Sequence, residues 1–80
     1  MAKKKQEPKV EPLLTLSFDG GRIKVSDAID YLEAVREITK SNPDSHLTII
    51  ESGDDIHFVI YRKNAKRVTE NDVSKAIGLL

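Results

Sequence analysis

Two short apolar segments joined by a polar link limit the fold of this chain more than any other feature of the sequence. Segments 47–51 and 56–62 are rich in Ile and Val, and Ser52-Gly53-Asp54-Asp55 separates them. Segments of this length and composition favour β-strands, and a link of this length containing Gly and Asp is typical of a hairpin loop. The pair therefore predicts an antiparallel hairpin, and with it a β-sheet as the centre of the fold.

A second hairpin is predicted nearer the start of the chain. Apolar and polar residues alternate around the turn sequence Asp19-Gly20-Gly21, with Leu14, Leu16 and Phe18 before it and Ile23 and Val25 after it. A period of two is the pattern of a half-buried strand, and Asp-Gly is a strong signal for a hairpin turn. The charged residues Arg22 and Lys24 suit the outer face or the edge of the sheet.

The sequence also predicts two helices. The first runs from an N-cap at Ser26 to about Lys40, because apolar residues recur at helical spacing over this segment and Pro43 follows it. A last helix begins at Thr69, which stands in capping-box spacing with Asp72.

These elements predict an α+β fold in the order ββαββα. We expect a two-layer sandwich in which a four-stranded, mainly antiparallel sheet carries both helices, formed as one small domain by residues 13–80. Residues 1–12 contain four lysines, two prolines and a single valine. This composition predicts a disordered basic tail.

Composition narrows the function. The 80 residues hold 13 Lys and Arg against 13 Asp and Glu, so the formal net charge is zero, whereas a domain held to nucleic acid mainly by charge is normally basic. The absence of cysteine excludes disulfides, thiolate zinc sites and cysteine nucleophiles.

Motifs for catalysis or metal binding are missing from the sequence. The histidines, His46 and His57, are not in metal-ligand spacing, and the serines are not in Gly-x-Ser-x-Gly. The pair Gly20-Gly21 lacks the spacing of a phosphate-binding loop and precedes a predicted strand rather than a helix. We therefore predict a protein that is not an enzyme and that has no cofactor and no metal; an enzyme would need a pocket joining His57 to a carboxylate.

One face of the predicted sheet is a candidate surface for binding a partner. His57, Val59 and Tyr61 point to one side of their strand, while Ile56, Phe58 and Ile60 point to the other, so both faces are substantially apolar. If both helices cover one face, His57, Val59 and Tyr61 remain exposed, and exposed apolar patches usually mark contact surfaces. The alternative is that one helix covers each face, or that the tail folds back over the second face.

Acidic residues form a stripe on the first predicted helix. Asp30, Glu33 and Glu37 recur at helical spacing opposite the apolar face. Such a stripe steers the association of protein partners, although an ordinary solvated helix surface has the same pattern.

Basic residues cluster between the last predicted strand and the last helix. Arg62, Lys63, Lys66 and Arg67 lie in this segment without an intervening acid, beside a helix N-terminus that favours anions. Together with Lys3, Lys4 and Lys5 they form a candidate contact for phosphate or nucleic acid.

The sequence therefore predicts a small, non-catalytic binding or regulatory module that acts through protein–protein contacts, as a homodimer or as an inhibitory or accessory protein. Nucleic-acid binding through the tail and the 62–67 segment is the alternative. With no apolar run long enough for an export signal or a membrane span, we expect a cytoplasmic protein without membrane contact.

Overall fold

The computed structural model describes residues 10–18, 20–63 and 68–80. These residues form strand β1 (Pro12–Phe18), helix α1 (Val25–Ser41), strands β2 (Ser45–Ser52) and β3 (Asp55–Arg62), and helix α2 (Glu70–Ala76). Neither helix within these ranges combines the length and the apolarity that a bilayer crossing requires.

Over the described ranges the sheet has three strands in the order β1-β3-β2, and both pairings are antiparallel. The prediction of a four-stranded sheet in the order ββαββα is therefore wrong, although the domain is still a small α+β fold. The predicted second strand is reduced to an isolated bridge at Arg22, and Val25 already belongs to α1. With only two apolar residues, that segment offers little to bury, whereas β1 gains a long partner in β3.

The turn after β1 explains how the chain reaches α1. Gly20 and Gly21 have φ angles of 63° and 74°, a region that glycine enters without steric cost. The turn signal is thus used, but it leads into a helix. A strand was predicted after Gly20-Gly21, and this reason for excluding a phosphate-binding loop is therefore wrong. The other reason, that the glycine spacing of such a loop is missing, still holds.

The two helices lie on opposite faces of the sheet, which corrects the predicted two-layer arrangement. Val73 of α2 packs with Val59, Tyr61 and Ile50 in the buried core. On the other face, α1 lies over residues of β1 and β3 that include Leu16 and Phe58. The central strand β3 is apolar on both faces because a helix packs against each of them.

Both helices occur where the sequence places them, and the capping of α2 is confirmed. The Thr69 hydroxyl accepts a hydrogen bond from the backbone N–H of Asp72 (3.2 Å), and the Asp72 carboxylate accepts one from the Thr69 N–H (2.9 Å). The N-cap of α1 differs from prediction: it is Lys24, with no side-chain capping bond, and Ser26 lies within the first turn.

The predicted antiparallel pairing of β2 with β3 is confirmed, but the predicted four-residue link is wrong. Ser52 pairs with Asp55, so the connection is the two-residue turn Gly53-Asp54, in which Gly53 has a φ of 61°. At the other end of the chain, Val10 packs against the core and Pro12 pairs with Tyr61. The predicted tail lies outside the described residues over positions 1–9.

Candidate protein-binding surface

The sheet face predicted to bind a partner is covered in the structure. Val59 is 0% exposed and Tyr61 is 6% exposed beneath α2, and the half-buried His57 lies within 2.9 Å of the Ser17 hydroxyl through its Nδ1. The interface prediction required this face to be open. The alternative of one helix on each face describes the structure instead.

Large apolar side chains are exposed elsewhere, on α1 and on β2, the strand that follows it in the chain. Val25, Ile29 and Leu32 of α1 are 76%, 50% and 64% exposed, and Leu47 and Ile49 of β2 are 57% and 53% exposed. We call these five residues the α1–β2 surface. Apolar side chains grouped in this way are typical of a contact surface rather than of a solvated face.

Helical spacing explains why α1 has more apolar surface than the sheet can cover. Val25, Ile29 and Leu32 stand at positions i, i+4 and i+7, which share one face of a helix. A second apolar row, which includes Tyr31 and Val35, faces the sheet. The combined stripe is too wide for the sheet to cover, and no residue of α1 is fully buried within the described part of the chain.

A groove of about 370 Å³ runs between α1 and the sheet. Its walls are mainly apolar and include Leu16, Phe18, Leu47, Phe58 and Ile60 from the strands and Ala28, Tyr31, Leu32 and Val35 from the helix. Leu32 and Leu47 belong both to this groove and to the α1–β2 surface, so the two features are continuous.

Tyr31 is the polar anchor of the groove. Its hydroxyl donates a hydrogen bond of 3.4 Å to the carbonyl oxygen of Phe58, which ties α1 to the central strand. Burial raises the pKa of the Tyr31 phenol above its ordinary value, because a low-dielectric environment disfavours the phenolate. Phe18 and Phe58 form the floor nearby, with ring centroids 4.9 Å apart.

The outer edge of β2 borders the same surface. All eight residues of β2 pair with β3 without a register shift, and among the described strands none pairs with the other edge. Segment 45–52 contains neither lysine nor proline, the residues that commonly protect an edge strand from pairing. The opposite edge strand, β1, begins with Pro12 and has a register irregularity between Pro12 and Leu14.

The acidic stripe is exposed as expected for the solvent side of α1. Asp30, Glu33 and Glu37 are all exposed, and Glu37 forms an ion pair of 3.7 Å with Lys40. Whether this stripe contacts a partner stays a prediction.

The basic cluster is described only in part. Arg62 and Lys63 are exposed, and the Arg62 guanidinium donates a hydrogen bond to the Asn42 amide oxygen; Lys66 and Arg67 lie outside the described residues. The first turn of α2 carries Glu70 and Asp72, whose negative charges oppose the binding of an anion at that helix end. The nucleic-acid hypothesis stays a prediction.

Among the residues that the structure describes, neither histidine belongs to a cluster of metal ligands. His46 stacks on Tyr61 with ring centroids 5.8 Å apart, whereas His57 faces Ser17. In the described ranges, no three His, Cys, Asp or Glu residues are grouped so that they could hold a metal ion.

The sequence contains a signal for the α1–β2 surface that the prediction of a single apolar helix face left out: an excess of apolar residues on the first helix. Apolar residues at 25, 29 and 32 exceed what one helix face needs beside Ala28, Tyr31, Val35 and Ile38. An overfull apolar stripe of this kind indicates a second contact.

Comparison of the chain with models of protein families, with curated proteins and with solved structures finds no match.

Proposed function

We propose that this chain is a non-catalytic binding module that acts through contact with another protein, and that the α1–β2 surface makes this contact. The observation that carries the proposal is the exposure of Val25, Ile29, Leu32, Leu47 and Ile49 on α1 and β2, two elements that line one groove. The cytoplasmic location predicted from the sequence belongs to the same proposal.

Burial of this surface contributes free energy to binding. Full burial of a Leu or Ile side chain contributes about 1.5–3 kcal/mol. Leu32, Leu47 and Ile49 are each more than half exposed, so a partner that covers them gains about 1 kcal/mol or more from each. The groove adds concave apolar surface beside them, where a side chain of the partner can insert.

Charge gives this surface an orientation. Glu33 directly follows Leu32 and belongs to the exposed acidic stripe, whereas Arg36 lies one turn after Leu32 on the face of the apolar row. Charges at the rim of an apolar contact fix the direction in which a partner approaches more than they raise affinity.

Peptide selection tests the proposal without a known partner. A random peptide library displayed on phage is selected on the immobilised protein, and enriched peptides are synthesised with a fluorescent label for anisotropy titration. We expect peptides rich in apolar residues, with dissociation constants that rise about tenfold, equivalent to about 1.4 kcal/mol, in Leu32→Gln or Leu47→Gln.

Matched substitutions on the acidic stripe serve as the control. Glu33→Gln and Glu37→Gln change exposed residues of the same helix without removing apolar surface, so affinity should change far less. Selection that enriches no peptide on a chain that is monomeric in sedimentation velocity, or binding that Leu32→Gln and Leu47→Gln leave unchanged, would overturn the proposal.

A further inference from the structure

We propose that the partner is a second copy of this chain, which pairs antiparallel with β2 along its outer edge and joins the two three-stranded sheets into one. This inference rests on the proposed function and names the protein that the α1–β2 surface binds.

The edge of β2 is suited to pairing with another strand. It pairs with β3 over eight residues without a register shift, it contains neither lysine nor proline, and it displays Leu47 and Ile49 more than half exposed beside it. An exposed, regular and apolar edge is a template for strand addition, which monomeric proteins normally block. By contrast, Pro12 and a register irregularity interrupt β1.

The sequence of β2 complements itself in one register. A twofold axis at Thr48 places Leu47 opposite Ile49 of the second copy and His46 opposite Ile50. Leu47 and Ile49 lie on the α1 side of the sheet, since they pair with Ile60 and Phe58. Their cross-strand contacts therefore extend the apolar surface across the junction.

Neighbouring registers are less favourable. An axis at Ile49 places Leu47 opposite Glu51 of the second copy, which puts a carboxylate against an exposed leucine. An axis at Leu47 places Ile49 opposite Ser45. A shift by one residue from any of these registers places Leu47 and Ile49 of the two copies on opposite faces of the joined sheet.

Charge complementarity selects the same register. With the axis at Thr48, Glu51 of one copy lies opposite Ser45 of the other, and Ser45 pairs with Arg62 of β3. Glu51, Ser45 and Arg62 all lie on the α1 side, so the carboxylate and the guanidinium are separated by two strand spacings of about 4.8 Å with only a small serine between them. An arginine side chain is long enough to span this gap when its guanidinium exchanges the Asn42 amide oxygen for the carboxylate, and the twofold axis produces the ion pair twice.

The net charge of the chain also favours a second copy as the occupant. The formal charge of the full sequence is zero, so two copies approach without the repulsion that a strongly charged protein has for itself.

Disulfide trapping tests both the partner and the register. The chain has no cysteine, so Thr48→Cys introduces a single thiol that lies opposite itself across the proposed axis. Directly opposed residues have Cα atoms about 4.5–5.5 Å apart, a separation that a disulfide bridges. We expect Thr48→Cys to form a covalent dimer under mild oxidation.

Two neighbouring positions provide the control. Leu47→Cys and Ile49→Cys each place the two thiols on diagonal neighbours about 7–8 Å apart, too far for ready bridging. Each variant alone should form about tenfold less covalent dimer than Thr48→Cys, whereas a mixture of the two should form a mixed disulfide. Preferential trapping by Leu47→Cys or Ile49→Cys alone would overturn the proposed register.

Charge reversal provides a test that does not alter Thr48. Glu51→Arg and Arg62→Glu should each weaken association in sedimentation velocity by about tenfold, because two ion pairs per dimer become repulsive, and the double variant should regain affinity. Lys63→Glu makes the same charge change beside Arg62 and should have a much smaller effect.

The outcomes separate this inference from the proposed function. A wild-type chain that stays monomeric at high concentration while selected peptides bind the α1–β2 surface would overturn the second copy as partner and leave the proposed function intact. A monomer to which no peptide binds would overturn both.

Discussion

Val59→Ala tests whether the face that the sequence suggested for binding is the core of the domain. Val59 is 0% exposed at the centre of β3, where it pairs with Thr15 on one side and Thr48 on the other. Truncation removes two methyl groups, each worth about 0.8 kcal/mol of transfer free energy. The cavity left behind raises the total loss of unfolding free energy to about 2–3 kcal/mol.

This loss is large for a chain of this size. Globular domains have about 0.05–0.15 kcal/mol of unfolding free energy per residue, so 80 residues provide about 4–12 kcal/mol in total. The variant should remain folded at low temperature, with a midpoint of thermal unfolding lower by roughly 8–20 °C.

Val25→Ala makes the same chemical change at an exposed position outside the core. Val25 is 76% exposed at the start of α1, and alanine has the higher helix propensity, by up to about 0.5 kcal/mol. Its unfolding free energy should be unchanged or slightly raised. Urea titration followed by circular dichroism, at concentrations where both variants are monomeric, gives the comparison. A loss below about 1 kcal/mol for Val59→Ala, or equal losses for the two variants, would refute the assignment of the core.

Three further predictions concern caps, turns and titration. Thr69→Ala should lower the unfolding free energy by about 1 kcal/mol in urea titration, because it removes the bond to the Asp72 N–H, and Thr69→Ser should restore most of it. Gly53→Ala should cost about 1 kcal/mol or more by the same assay, since Gly53 has a φ of 61° and an added methyl group would meet no neighbour that could account for the loss. Burial raises the pKa of Tyr31 in the folded state. The contribution of the neutral phenol to the free energy of unfolding is therefore fully present below the unfolded pKa of about 10, and it is lost as the pH rises through the folded pKa. Tyr31→Phe should therefore lose less unfolding free energy than the wild-type protein when urea titrations at neutral and strongly alkaline pH are compared.

The elements that depend on local chemistry could be predicted from the sequence. The capping box of Thr69 and Asp72 satisfies backbone groups within one turn, and the Gly53 turn needs only a residue that tolerates positive φ. The helix around Tyr31 follows from apolar spacing and from the proline that ends it. Each of these features involves residues close together in the chain.

The features that depend on distant pairing could not be predicted in this way. The Gly20-Gly21 turn suits a hairpin or a strand-to-helix connection, and what decides is that β1 finds its partner in β3, some forty positions away along the chain. That pairing makes β3 central and gives it a helix on each face. Val59 and Tyr61 are consequently buried, and the apolar surface that remains open lies on α1 and β2.

Hydrogen–deuterium exchange at two protein concentrations tests most directly the claim that the edge of β2 is where a second copy binds. Amides of β2 that face away from β3 exchange rapidly in a monomer, because among the described strands none pairs with that edge. Raising the concentration should slow the exchange of these amides in segment 45–52 and leave segment 12–18 unchanged. Exchange of β2 that is independent of concentration, or protection that develops at β1 instead, would contradict this claim.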